Sequence, residues 1–396
     1  MFSTVSGVPE LSLYVHVPFC AHKCEYCAFY SHAPGDLLQR YVNALLREAR
    51  MLPQFKPRTI FFGGGTPSLL SLKQWEEIGS AFRELSWNSP EEWTVECNPA
   101  TVSMDKARLF REIGVNRVSM GVQSFDEKLL ERLGRIHSKE QVYKSYEILR
   151  QAGFENVNID LMFGIPTQTM DVWRATLAEA MALQTEHLSS YEVIYEQDTP
   201  LFAQLEAGEF DVDEELACEM YEELVSTAAA NGFAQYEIAN FAKHTGPERG
   251  EGDIPSRACK HNVTYWRGGF YHALGPSAAG YEPQRGTALG VRTRNWANTQ
   301  MYCEIVERGQ RPFESREELS ALARAGEVAA FGLRMNAGWP FESFQYATGF
   351  DLREEWSQDM RKLADDGLAF LEADRFRLTT RGLRLADMAA QEFLRS

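Results

Sequence analysis

A short apolar run, a polar or glycine-rich turn and a longer amphipathic stretch recur through the first half of the chain. The runs are SLYVHV (12–17), TIFF (59–62), TVEC (94–97), RVSMGV (117–122), NVNIDLMF (156–163) and HLSSYEVI (187–194). Their β-branched and aromatic content and their length suit strands, so six are expected. Between the first two, LLQRYVNALLREARML sets Leu38, Tyr41, Val42, Leu45 and Ala49 at helical spacing on one face. Strands that alternate with helices pair in parallel, since a crossover connection returns the chain to the same end of a sheet. Six units are fewer than the eight of a closed barrel. The expected fold is therefore α/β, an incomplete TIM-like (β/α)6 barrel over residues 1–240.

A chain of 396 residues outgrows one hydrophobic core, so a second, smaller unit is expected. The pattern changes near residue 213. There DEELACEMYEELVSTAAANG reads as an acidic helix with Leu216, Met220 and Leu224 inward, and QYEIANF as a last strand. HTGPERGEGDIPSRA, dense in glycine, proline and charge, is an aperiodic loop within a connecting segment over 241–310. From 311 to 396, ESREELSALARAGEVAAFGLRMN and DLREEWSQDMRKLADDG read as helices. With FLEADRFRLTTRG and a final helix they make a small helical, winged-helix-like domain with a two-stranded wing.

Forty basic against 56 acidic residues give a net charge of −16, which repels polyanions, and the wing is not notably basic. Nucleic acid is not an expected partner. No run of about 18 apolar residues occurs, and no basic segment precedes an apolar one at the start. A cytoplasmic protein without a membrane span is expected. Seven cysteines, three crowded into one loop and Cys97, Cys218, Cys259 and Cys303 scattered, do not describe a disulfide framework. A metal or redox site in a reducing compartment fits better.

The crowded loop, CAHKCEYC, holds Cys20, Cys24 and Cys27. Tetrahedral zinc could use them with His22 or His16, and Cys24 with Cys27 could form a redox pair. A four-iron four-sulfur cluster ordinarily takes four thiolates, so three would leave one iron open to another ligand. Further polar residues fall at the carboxyl ends of the expected strands, the rim on which parallel barrels build sites. Gly63-Gly64-Gly65-Thr66 follows the second strand, Glu96 ends the third, Gln123 ends the fourth and Asp160 lies in the fifth. Taken singly, the glycines could be a turn, the acids structural groups and Arg135 a solvated helix-end charge. Their shared rim is what points to a site.

C-x-x-x-C-x-x-C after the first strand resembles the radical S-adenosylmethionine (SAM) enzymes. LYVHVPFC, FFGGGTPSLL, VECNP, GVQSF, IDLMFGIP and YEIANF resemble, in order and over nearly the whole chain, the oxygen-independent coproporphyrinogen III oxidase-like group. That group contains a porphyrinogen-decarboxylating enzyme and a heme chaperone branch. The resemblance implies a [4Fe-4S] cluster on Cys20, Cys24 and Cys27, whose open iron binds the amino and carboxylate groups of SAM. It places Tyr14, Gly64, Gly65, Thr66 and Glu96 at SAM, and Tyr26, Gln123, Arg135 and Asp160 around the central cavity.

Two features separate the branches. The decarboxylating enzyme continues C-x-x-x-C-x-F-C-x-C, whereas Phe29 stands two residues after Cys27 here. HNVTYW (261–266) fits an H-N-x-x-Y-W signature of the heme chaperone branch. By that resemblance His261 is the candidate heme ligand, with Tyr265 and Trp266 as stacking faces and Cys259 as another candidate ligand. The implied function is delivery of heme to apo-protein clients, with an electron donor serving the cluster. Porphyrinogen decarboxylation and radical methyl transfer are the enzymatic alternatives. In either, the reduced cluster would cleave SAM to methionine and a 5′-deoxyadenosyl radical.

Overall fold

A computed structural model describes residues 10–245, 254–284 and 289–395. Each of the six runs forms a strand: β1 (Glu10–Val17), β2 (Lys56–Gly64), β3 (Glu92–Cys97), β4 (Arg117–Gln123), β5 (Val157–Phe163) and β6 (His187–Glu192). Each pairs in parallel with the next. β4 and β5 are buried along nearly their whole length, as parallel strands covered on both faces must be.

The sheet continues past these six. β7 (Phe233–Glu237) and β8 (Asn240–Lys243) form an antiparallel hairpin on β6, where the sequence pattern suggests one strand. At the opposite edge β9 (Tyr271–Leu274) pairs in parallel with β1. β10 (Ala279–Pro283), β11 (Gly290–Asn295) and β12 (Phe313–Glu318) follow in antiparallel order. The result is one 12-stranded sheet, so the segment after residue 240 extends the sheet and does more than connect two units. Residues 246–253 of the aperiodic loop lie outside the described residues.

β12 replaces the start of the helix expected from residue 314, which spans only Ala321–Gly332. Cross-strand ion pairs explain the change: Arg292 lies 2.9 Å from Glu317 and Arg294 3.6 Å from Glu314. Opposite charges facing across a ladder favour a strand over the helix that the composition suggests.

The helix Leu37–Met51 buries Tyr41, Val42, Leu45 and Ala49 as expected, and also Glu48. Glu48 accepts from Gly275 N at 2.9 Å, the Tyr302 hydroxyl at 2.6 Å and Asn295 Nδ2 at 2.9 Å. Arg311 Nε stands 3.7 Å away. One carboxyl thus ties the first helix to the far edge of the sheet. Its removal strands several buried polar groups, so Glu48→Ala is expected to cost about 3–5 kcal/mol, read as a lower urea midpoint, with Glu48→Gln recovering part of the loss.

The C-terminal region has a core of its own, built around Trp339, Phe344, Trp356, Phe376 and Phe393. Its wing has three strands: β13 (Trp339–Pro340), β14 (Ala369–Leu371) and β15 (Arg375–Leu378), with β15 in the middle. A two-residue strand such as β13 leaves no periodicity to read. Among the described residues no helix is long and apolar enough to cross a membrane.

Candidate cofactor-binding site

The cysteine loop after β1 is closed at its neck by backbone bonds, Cys20 N to His32 O at 3.0 Å and His32 N to Pro18 O at 2.9 Å. Glu25 pins its far side, donating to Leu133 O at 3.0 Å and accepting from Leu201 N at 2.9 Å. The loop therefore holds its shape without a disulfide, and all seven cysteines are free thiols. Cys20, Cys24 and Cys27 are half-buried and line one cavity of about 500 Å³. Burial pushes the Cys27 thiol up, so a thiolate there needs a nearby positive centre. Arg135 lies beside the loop, with Nη1 donating to Cys24 Sγ at 3.4 Å and Nη2 to Gly121 O at 2.6 Å. Its buried Nε has no partner among the described residues.

The glycine run closes the end of β2 against β1. Gly64 has φ of 98°, and a Cβ there would collide with the His16 ring. A Cβ on Gly65 would lie 2.6 Å from Val17 O. The run therefore leaves backbone bare at the cavity wall, open to close approach by a ligand. Gly64→Ala is expected to destabilise the protein by about 1–2 kcal/mol from the left-handed backbone alone, and by more from the clash with His16. Thermal unfolding checks it.

Glu96 Oε2 accepts from Gly64 N at 3.2 Å. Burial first, and then the charge of Asp160, push this carboxyl up to about 8. Burial raises Asp160 too, although Asn158 Nδ2 at 2.8 Å and Ser119 Oγ at 3.2 Å donate to it. Gln123 adopts φ of 66° where the β4–β5 register shifts. A left-handed non-glycine residue costs about 1–2 kcal/mol, and such strain gathers at functional sites.

Cys20, Cys24, Cys27, Tyr26, Gly64, Gly65, Thr66, Glu96, Gln123, Arg135 and Asp160 all line this cavity. Tyr14 and His261 do not. Tyr14 packs against both Phe61 and His261, its hydroxyl 3.1 Å from His16 Nδ1. His16 Nε2 lies 2.9 Å from Tyr30 O, so both its ring nitrogens are taken and neither reaches the loop thiols. Among the described residues, no three His, Cys, Asp or Glu side chains converge to hold a single ion.

His261 lies apart from the cavity-lining residues. It is 1% exposed, with Nδ1 2.7 Å from Thr59 Oγ1 and Nε2 2.7 Å from the Tyr265 hydroxyl. Its ring stacks on Phe61. Burial, and then the Arg117 charge, push its pKa down to about 3. Both ring nitrogens of His261 thus rest on hydroxyl groups in this structure. Cys259 is likewise fully buried, its thiol donating to Glu92 Oε1 at 3.4 Å.

Arg117, Ser119 and Asn158 are polar residues that the sequence reading passed over as strand positions. Arg117 is fully buried, and its Nη1 donates to Thr94 Oγ1 at 3.4 Å. The signal was alternation: 117, 119 and 121 on β4, like 158 and 160 on β5, share one face.

Residues 14–180 match the radical SAM superfamily, and residues 319–385 match the HemN C-terminal domain. The heme chaperone HemW of Bacillus subtilis is 34% identical over 391 residues, covering 97% of this chain and 99% of its own length. HemW of Lactococcus lactis is 32% identical, covering 97% of each chain. This chain belongs to the HemW family of radical SAM proteins. A mouse relative, radical S-adenosyl methionine domain-containing protein 1, mitochondrial, is 32% identical over 97% of this chain and 87% of its own. The solved coproporphyrinogen III oxidase HemN of Escherichia coli, a radical SAM enzyme, superposes with a TM-score of 0.80. It covers 97% of this chain and 90% of its own at 21% identity, which speaks for the fold alone.

Membership of the HemW family implies the superfamily's cofactors, a [4Fe-4S] cluster and SAM. The residues present fit both. Three thiols from one anchored loop leave one iron position open, and the bare glycine wall stands beside it with Glu96 bonded to its backbone.

Proposed function

We propose that this HemW-family chain is a heme chaperone. Cys20, Cys24 and Cys27 hold the [4Fe-4S] cluster, and Gly64, Gly65, Thr66 and Glu96 receive SAM. The observation that carries the reading is similarity over almost the full length to proteins named heme chaperones, 34% identical across 97% of the chain. When bound, the cluster and SAM supply one-electron chemistry. The chain's own residues anchor the thiols, exclude bulk from the glycine wall and place Arg135 against Cys24. Tyr26, Gln123 and Asp160 line the part of the same cavity left for a second ligand. Heme is then cargo for heme-requiring apo-proteins, an electron donor reduces the cluster, and the cytoplasm keeps the loop thiols reduced.

A second reading, oxidative decarboxylation of coproporphyrinogen III, is favoured by Arg135 on the cavity wall, since a guanidinium pairs well with a propionate. Phe29 at the position where the decarboxylating enzyme has a cysteine favours the first. The test is an anaerobic heme titration of the cluster-loaded protein followed by absorbance, beside incubation with coproporphyrinogen III, SAM and a reductant. Saturable, near-stoichiometric heme binding without porphyrin product is expected. Product formation would shift the reading to the enzyme, and absence of heme binding would remove the chaperone.

A further inference from the structure

The cavity and the helix Lys260–Trp266, which carries the H-N-x-x-Y-W signature, are joined by a chain of hydrogen bonds through the protein interior. It starts at Asp160 on the cavity wall, where Asn158 Nδ2 donates to Oδ1 at 2.8 Å. The oxygen of the same amide lies 2.6 Å from His187 Nδ1. His187 Nε2 lies 2.8 Å from the Tyr236 hydroxyl, and that oxygen accepts from Cys259 N at 3.2 Å. Cys259 is the residue at which the helix begins. Asn158, His187, Tyr236 and Cys259 are each at most 1% exposed, so bulk water has no access to the chain.

The orientations follow from one another. Asn158 turns its NH₂ group to the Asp160 carboxylate, so its oxygen faces His187, which must then hold a proton on Nδ1. Burial, and then the Arg117 charge, push His187 well below its ordinary pKa, so the ring is neutral and Nε2 accepts from Tyr236. Every donor therefore points the same way, from Cys259 N–H toward the carboxylate. A protonated Asp160 that donates to Asn158 reverses the order: the amide turns over, the imidazole proton sits on Nε2 and the Tyr236 hydrogen turns away from it. One buried chain with two opposite orders is a two-state element. Asp160 faces Glu96, Tyr26 and Tyr191, and the guanidiniums of Arg117 and Arg135. The Glu96 carboxyl opposes its ionisation, and a cation in the cavity favours the charged form of both acids.

We infer that this chain couples the cavity to the H-N-x-x-Y-W helix, with His187 and Tyr236 as positioning residues: a cationic ligand beside Glu96 and Asp160 sets every donor toward the carboxylate and so holds Cys259 and the start of the helix. Neither His187 nor Tyr236 lines the cavity. The inference rests on the reading above that SAM occupies this cavity, and it adds a regulation to the heme chaperone: occupancy of the cofactor site acts on the helix whose signature marks that branch. Coupling is reciprocal, so whatever binds at the helix changes the affinity for SAM by the same factor.

The experiment is hydrogen exchange of the full-length, cluster-loaded protein, read by mass spectrometry on the peptide that spans residues 259–266, with and without saturating SAM. The shift of the reduced-cluster electron paramagnetic resonance signal shows in each sample that SAM is bound. In the parent protein, SAM should slow exchange at the start of the helix by about 5-fold or more, the lower end of ordinary coupling between sites. Tyr236→Phe keeps the ring and removes both bonds, so it should exchange faster and equally with or without SAM. Asp160→Asn puts a fixed neutral group at the cavity end and should lose the SAM effect too. Thr59→Val loosens the same helix outside the chain, since Thr59 Oγ1 lies 2.7 Å from His261 Nδ1, and it should exchange faster yet still slow with SAM. A parent that shows the resonance shift with unchanged exchange, a Tyr236→Phe or Asp160→Asn protein that keeps the SAM effect, or a Thr59→Val protein that loses it would overturn the inference while SAM binding stood. A parent without the resonance shift would remove SAM from the cavity and the inference with it.

Discussion

Cys24→Ser protein, reconstituted anaerobically with iron and sulfide, is expected to hold no stable [4Fe-4S] cluster and to stay colourless, and Cys20→Ser and Cys27→Ser should behave alike. Each removes one of three thiolates where four-iron clusters already lack the fourth. The variants should still fold, because the loop is tied by backbone bonds at Cys20, His32 and Glu25 that no thiol contributes to. Cys218→Ser and Cys303→Ser should retain full iron and colour, since neither residue lines the cavity. Iron and acid-labile sulfide analysis, with circular dichroism for folding, checks this. A single bound zinc would instead fit the structural-metal alternative.

Glu96→Gln carries the second large effect. The carboxyl sits at about 8, against an ordinary 4.5, first because it is buried and second because Asp160 lies near. Its folded pKa is raised, so its stability contribution is fully present below about 4.5 and is lost as pH rises through about 8. The parent protein should therefore weaken relative to Glu96→Gln as pH rises from about 4.5 to about 8 and change no further above it, in denaturation midpoints taken across that window. Ligand binding runs the other way. SAM brings a sulfonium cation and an amino group, both of which favour the ionised carboxylate, so its affinity should rise with pH through about 8. Losing a hydrogen bond to a charged group costs about 1.5–3 kcal/mol, which is roughly 10- to 150-fold in affinity. Glu96→Gln should show that loss above pH 8 and lack this part of the pH dependence, by calorimetric titration on the cluster-loaded protein. Equal affinities at high pH would remove Glu96 from the SAM site.

The strands β1–β6 were legible because parallel strands are buried on both faces and so read as apolar runs bounded by turns. The residues at their carboxyl ends were legible for a related reason: polar groups that interrupt apolar runs at a common rim have few structural uses. β12 was not legible, since FESREE has helical composition and only its partners Arg292 and Arg294, some twenty residues earlier, hold it in a ladder. Glu48 was not singled out on its amphipathic helix, and its burial depends on Asn295, Tyr302 and Arg311 arriving from the other end of the chain. His261 shows the same limit. A motif tells that a histidine sits four residues before Tyr265, and only the fold tells that this hydroxyl and Thr59 take both its nitrogens.

The most direct measurement on the site is electron paramagnetic resonance of the reduced, cluster-loaded protein before and after SAM is added. If three thiols leave one iron open beside Gly64 and Glu96, SAM shifts the cluster signal, and Glu96→Gln needs more SAM to produce the same shift. A reduced-cluster signal unchanged by saturating SAM, or a cluster that survives the loss of Cys20, Cys24 or Cys27, would contradict the site described here.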